Sequence, residues 1–290
     1  MKRAFVIVLA LSLALALFGC GKQSATQSGA VAPGTDGAAP AEPASWDYDV
    51  ETLRDEQRFT ADDGTVVATK TTELPRLVLK NAGGAADAEP PAEMRKICDA
   101  FNGGVSELNM WDIDIEEIAD QAREQYESRK REGIEFFASV DELTIENVYR
   151  RGDLLSVLAR GYVDLGGAHP DWYLCSWNFD LGTGRFVDSV GLGEDPAAMH
   201  EMIADHIVED ICASEERAYY NDSFESLIPE LNYYEAYFDE NGMTVYFQEY
   251  QIAPRALGLP QFTIPYAELS RFLSADGARL LALTAEEKAN

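Results

Sequence analysis

Four glycine-bearing turns, each set between runs that alternate apolar and polar residues, constrain this chain most, because they cut it into hairpins. They are Asp62-Asp63-Gly64 within residues 58–79, Arg151-Gly152-Asp153 within 143–165, Gly182-Thr183-Gly184 within 173–187, and Asn241-Gly242 within 233–250. A period of two turns one face of each strand inward. The Asn-Gly pair is the dipeptide that most readily supplies positive φ at both centres of a two-residue turn. Helical patterns lie between the hairpins. Residues 92–101 align Met94, Ile97, Cys98 and Phe101 on one stripe. Residues 114–131 align Ile115, Ile118, Ala122 and Tyr126, with Asp114-x-x-Glu117 at the start and Gly133 past the end. A third helix opens with Pro196 and turns Met199, Met202, Ile203, His206 and Ile207 inward, and 267–273 form a short fourth. Hairpins grouped with interposed helices predict an α+β fold in two lobes, its antiparallel sheets built from hairpins with helices packed on one face. The expected division is a hairpin-plus-helices lobe over 46–140, a second lobe over 141–275 and a tail over 276–290.

Residues 1–19 read as a secretion signal. Lys2 and Arg3 precede an apolar run over 5–17, shorter than the roughly 20 residues of a spanning helix. Leu17-Phe18-Gly19-Cys20 resembles the lipobox of bacterial lipoproteins. That resemblance implies cleavage before Cys20 and lipid on its thiol, so the protein is expected at the cell membrane, lipid-anchored and facing outside the cytoplasm. Residues 20–45 are dominated by Gly, Ala, Ser, Thr and Pro without hydrophobic periodicity, the composition of a flexible tether.

Lys and Arg number 23 against 51 Asp and Glu, a formal net charge of -28. Such a chain repels phosphate backbones, which argues against nucleic-acid binding and favours cationic partners. Catalytic signatures are sparse. His200 and His206 lie six residues apart, a spacing that puts them on different faces of a helix, and no H-E-x-x-H, C-x-x-C, G-x-S-x-G or P-loop spacing occurs. Asp112-x-Asp114-x-Glu116 lacks the glycine and downstream Glu of a calcium loop. No catalytic residue, metal or cofactor is therefore expected, and His206 reads as a core histidine. Beyond Cys20 stand Cys98, Cys175 and Cys212. Three thiols allow at most one bridge, so two readings stay open: buried free thiols, or a Cys98–Cys212 disulfide.

Two longer patterns remain. One is Gly166-Gly167-Ala168-His169-Pro170, followed by an aromatic strand from Trp172 and by Phe179-Asp180-Leu181-x-Thr183-Gly184. The other is Phe238-x-x-x-Gly242-Met243-x-Val245-x-Phe247-x-x-Tyr250-x-Ile252-Ala253-Pro254-x-Ala256-x-Gly258, with Ile264-Pro265-Tyr266-x-x-Leu269 after it. Over residues 52–273 the chain resembles a family of extracytoplasmic domains of unknown function, found as the outer part of the anti-sigma factor RsiV and beside the deacetylase of PdaC. The resemblance implies a two-lobed α+β domain with no catalytic residues of its own. Since the RsiV domain binds lysozyme, it also implies a basic protein such as lysozyme, or a cell-wall component, as partner. Sigma-factor regulation is not carried over, because the lipobox stands where RsiV has its cytoplasmic and spanning segments. From the residues themselves, Gly166 and Gly167 suit a turn of unusual backbone geometry and Pro170 stiffens it. His169 and Trp172 either contact a ligand or hold that turn. The expected function is a non-enzymatic, envelope-anchored binding lipoprotein, with a cell-wall hydrolase or deacetylase and a structural envelope component as alternatives.

Overall fold

The first hairpin is longer than its turn signal suggests. In the computed structural model, which describes residues 45–83, 88–107, 114–220, 223–284 and 287, β1 (Ser45–Thr60) and β2 (Val66–Gly83) pair antiparallel across Asp62-Asp63-Gly64. Gly64 takes φ +85° there, and Asp63 Oδ1 accepts the Thr65 N–H at 3.0 Å. The expected signal segment, Cys20 and the tether up to residue 44 lie outside the described residues. β3 (Ser139–Arg151), β4 (Leu154–Asp164), β5 (Asp171–Asp180) and β6 (Arg185–Phe186) complete a six-stranded sheet in sequence order. A second, three-stranded sheet is formed by β7 (Ala236–Phe238), β8 (Gly242–Tyr246) and β9 (Gln261–Pro265). The helices are α1 (Ala92–Glu107), α2 (Ile115–Glu132), α3 (Pro196–Ala213), α4 (Phe224–Leu227), α5 (Tyr266–Leu269) and α6 (Ala275–Leu280). The fold is α+β, as the interleaving of hairpins and helical stripes predicts.

Local chemistry explains where the helices begin and end. Asp114 Oδ1 accepts the N–H groups of Glu116 and Glu117 at 3.1 and 3.3 Å, and Gly133 closes α2 at φ +69°. Asp195 caps α3 in the same way, through Ala197 and Ala198, just ahead of Pro196. α1 runs past the expected stop at residue 101 because its last turns are packed. A Cβ on Gly104 would lie 2.1 Å from the Phe186 ring, so the glycine lets the ring rest on the helix.

Three expectations need correction. The large sheet is not wholly antiparallel: residues 68–72 of β2 run parallel to residues 139–143 of β3. Residues 84–138 carry α1 and α2, a connection long enough for a crossover that a hairpin turn cannot make. The lobe boundary expected between residues 140 and 141 falls inside β3. Two cores divide the molecule differently. Leu77, Phe101, Val157, Trp177 and Phe179 join the large sheet to α1, and Met199, Ile203, Ile207, Phe238, Val245 and Ile264 join α3 to the small sheet. Finally, the segment expected as a tail is packed. Leu280, Leu281 and Leu283 are buried in the second core, and Arg279 reaches Asp153 at 2.5 Å and Asp180 at 3.1 Å.

Side-chain amides complete the ladders that strands leave open. Past Thr72, β2 has lost its partner β3, and Asn102 of α1 serves Leu77 instead, accepting its N–H at 2.8 Å and donating to its carbonyl at 3.0 Å. A polar seam joins the sheets. Ser156 donates to Asn178 Oδ1 at 2.7 Å and accepts the Phe238 N–H at 2.9 Å, while Ser176 and Asn178 both donate to the Ala236 carbonyl. Buried backbone groups require such partners.

Candidate functional site

The turn between β4 and β5 and the loop between β8 and β9 come together at one solvent-facing place. Gly166 supplies the left-handed residue of the first, at φ +76°, and its N–H bonds Asp164 Oδ1 at 2.9 Å. Gly167 does not share that geometry: its φ is ordinary, and a Cβ there would meet only the His169 carbonyl, at 3.9 Å. The requirement expected at both glycines belongs to Gly166 alone, because only that residue bends back over the Asp164 side chain. Pro170 then leads directly into β5, at an end where a strand tolerates a missing N–H.

The β8–β9 loop is pinned to β5 by Gln248, which accepts the Leu174 N–H at 3.1 Å and donates to the Leu174 carbonyl at 2.9 Å. β6 covers β5 only at Phe179 and Asp180, so Leu174 has no strand partner on that side. Gln248 also accepts nothing from Glu235 but donates to its carboxylate, at 3.1 Å. The chain reverses at once, with Tyr250 at φ +66°, a left-handed conformation rare for a bulky residue. Such a residue carries a strain of about 1–3 kcal/mol. The tightness of this reversal brings Glu249 and Arg255 back over the β4–β5 turn.

Arg255 is the hub. Its guanidinium bonds His169 Nδ1, approaches Asp171 Oδ1 to 3.7 Å, and through Nε lies 3.8 Å from Glu249 Oε1. The same Nδ1 lies 3.7 Å from Asp171 Oδ1, so His169, Asp171 and Arg255 form one cluster. His169 is thus a solvent-facing side chain held by a side chain, not one satisfied by the backbone of its own turn. The Glu249 side chain is 7% exposed and its Oε2 is buried without a hydrogen-bond partner. Burial pushes its carboxyl above the ordinary range, partly opposed by the Trp172 backbone N–H and aided by the charge of Asp171. Trp172, 39% exposed, rests against Tyr162, its direct cross-strand neighbour, with ring centroids 4.6 Å apart. Arg255 and Glu249 escape the sequence reading. The only hint of Arg255 is its place between Pro254 and Ala256, the residue the second pattern leaves unspecified.

Residues 194–267 match the family described as Protein of unknown function (DUF3298). The DUF3298 segment thus takes in α3, the small sheet and the Arg255 loop, and leaves the β4–β5 turn outside it. A crystal structure of a DUF3298 family member from Bacteroides fragilis is similar at a TM-score of 0.53 and 15% identity, over 83% of this chain and 99% of that one. Another DUF3298 family protein, from Pseudomonas aeruginosa, gives 0.47 and 13% over 80% and 96%. No curated protein matches the chain. The first likeness shows a shared fold.

The remaining candidates disperse. All three described thiols are free, which corrects the Cys98–Cys212 reading: Cys98 is buried in the first core, whereas Cys212 is exposed at the end of α3 in the DUF3298 segment. Burial pushes the Cys175 thiol up to about 12 and raises Cys98 as well, so both behave as small apolar side chains. His200 bonds the Leu231 carbonyl at 2.6 Å. His206, expected in the core, is part-buried at the rim of α3, where it meets Glu268 at 3.1 Å and Asp210 at 3.5 Å. Beside it, Glu201, Asp205, Glu209 and Glu268 line an acidic groove together with Arg271. Among the described residues no group of three or more His, Cys, Asp or Glu side chains is placed to hold a metal ion. No described helix is long and apolar enough to cross a membrane.

Proposed function

We propose that this chain is a non-enzymatic binding domain, held at the outer face of a bacterial cell membrane by lipid on Cys20, and that its partner is a basic protein of the lysozyme class. The observation that carries the reading is the meeting of the two sequence patterns around Arg255. That patch presents exposed aromatic and apolar surface, at Trp172, Tyr250 and Leu165, around a charged centre. Exposed aromatic side chains gathered with an arginine are residue types enriched at recognition surfaces. The net charge of -28 and the acidic groove along α3 favour a cationic partner.

The anchor is tested by fractionation. Cys20→Ser is expected to move the protein from the membrane to the soluble fraction, and unchanged membrane association would overturn the lipid attachment. The partner is tested by titration of the full chain with a basic lysozyme at about 0.15 M salt, where the screening length is about 8 Å and general charge attraction fades. Cytochrome c, basic but not lytic, is the control. Saturable binding to lysozyme alone is expected. Absence of binding, or equal binding to both proteins, would remove this partner class.

A further inference from the structure

Arg160, Trp172, Glu249, Gly258 and Leu259 line a cavity of about 310 Å³ beside the Arg255 cluster. Its size is at the small end of the roughly 300–1,000 Å³ that ligand pockets occupy, and suits a small molecule better than a peptide segment. The walls differ in kind. Trp172 contributes a half-exposed aromatic ring packed against Tyr162. Leu259 is an apolar wall, itself packed on Leu158, Leu174 and Tyr246. Glu249 brings a carboxyl whose side chain is 93% buried and whose Oε2 has no hydrogen-bond partner. A buried polar atom in that condition costs stability unless something supplies its partner.

The charges select the occupant. Arg160 is engaged by both carboxylate oxygens of Glu146, the residue bulged out of β3, and Arg255 is shared between Glu249 and Asp171. Arg160, which lines the cavity, already has its anion, so a phosphate meets no uncompensated positive charge there. The walls themselves, an indole, a leucine and a carboxyl, suit a ligand with one flat apolar face for the indole and a hydroxyl to donate to the carboxyl. We propose that this cavity is a saccharide subsite, in which a neutral pyranose ring stacks on Trp172 and one of its hydroxyl groups donates to Glu249. The cavity shares Trp172 with the protein-binding patch proposed above, but sugar binding and lysozyme binding are measured separately, and either can fail alone.

The test uses the full chain, kept soluble in a detergent without sugar headgroups, titrated with chitotriose and with cellotriose while tryptophan fluorescence is followed. Saturable binding of at least one of them, with a change in tryptophan emission, is expected. Trp172→Ala is expected to weaken it about tenfold, and Trp172→Tyr, which keeps an aromatic face, to restore most of the loss. Glu249→Ala is expected to weaken binding several-fold, whereas a variant with an intact cavity such as His200→Gln leaves it unchanged. A thermal melt of each variant separates lost binding from lost folding, and Leu259→Phe, which fills the cavity with an apolar ring, provides a second route to the same loss. No saturable binding of either sugar up to about 10 mM (weaker than the millimolar end of the affinity scale) would overturn the proposal. So would binding that survives Trp172→Ala, or saturation by arginine amide in place of the sugars.

Discussion

Replacing Trp177 with alanine is expected to destabilise the protein by about 3–5 kcal/mol, the range for removing a large aromatic side chain from a close-packed core. Trp177 is 1% exposed, faces Val157 across β4 and β5, and belongs to the core that holds Phe101, Phe179 and Leu155. The same core holds three rings, Phe101, Phe179 and Phe186, that contact one another edge-on or stacked, with centroids 5.1–5.9 Å apart. A sheet backbone cannot close over the gap left by an indole, so the void persists. The indole contributes area and shape, because its Nε1 is buried without a hydrogen-bond partner. Trp177→Phe is therefore expected to cost distinctly less, since it keeps an aromatic ring and removes an unsatisfied donor. Urea melts with unchanged slope would measure both. A Trp177→Ala protein within about 1 kcal/mol of the parent would show that this core is looser than its burial indicates.

Gly242→Ala is expected to cost about 3 kcal/mol, the upper end for overpacking. A Cβ at this position would stand 2.1 Å from the Ile264 carbonyl oxygen, 2.9 Å from its carbon and 3.1 Å from Pro265 Cα. These are backbone atoms of β9, directly opposite in the ladder, where Gly242 faces Pro265. No change of side-chain rotamer relieves the clash, so β8 and β9 would have to part and the small sheet would lose its packing on α3. Gly103→Ala is the control with the opposite sign. Gly103 lies inside α1 with nothing within 4 Å of a Cβ, and alanine there is expected to stabilise by up to about 1 kcal/mol through helix propensity and a less disordered unfolded chain. If the two substitutions had equal effects in thermal melts, close backbone approach would not be what Gly242 provides.

Gly242 also marks the division between what was legible in the sequence and what was not. The Asn241-Gly242 pair correctly announces a chain reversal, but not its kind. Phe238 pairs with Met243, so the loop holds four residues, and Asp239 Oδ1 organises it by accepting the N–H groups of Asn241 and Gly242 at 2.7 and 3.3 Å. Asn241 has no positive φ. The glycine is required by a strand that arrives some twenty residues later, and no local rule contains that strand. Gly166 and Gly167 repeat the lesson, since two identical neighbours differ only in which one folds back over Asp164.

By itself the sequence determined whatever depends on periodicity and on groups a few residues apart. The alternation of Tyr173, Cys175, Trp177 and Phe179 places all four in one core. The stripe Met199, Met202, Ile203 and Ile207 buries against the small sheet, Asp114 and Asp195 cap their helices, and the α+β class follows from the order of these signals. Only the tertiary structure decided the parallel pairing of β2 with β3, the packing of the last leucines into the second core, and the meeting of His169 with Arg255. Each joins residues far apart in the chain, and their attraction depends on distances that the intervening elements set. Arg255 and Glu249 carry no periodic signal and sit in an irregular loop. Their roles come from the Gln248 clamp, the reversal at Tyr250 and the burial of one carboxyl oxygen, all of which exist only once the chain has folded.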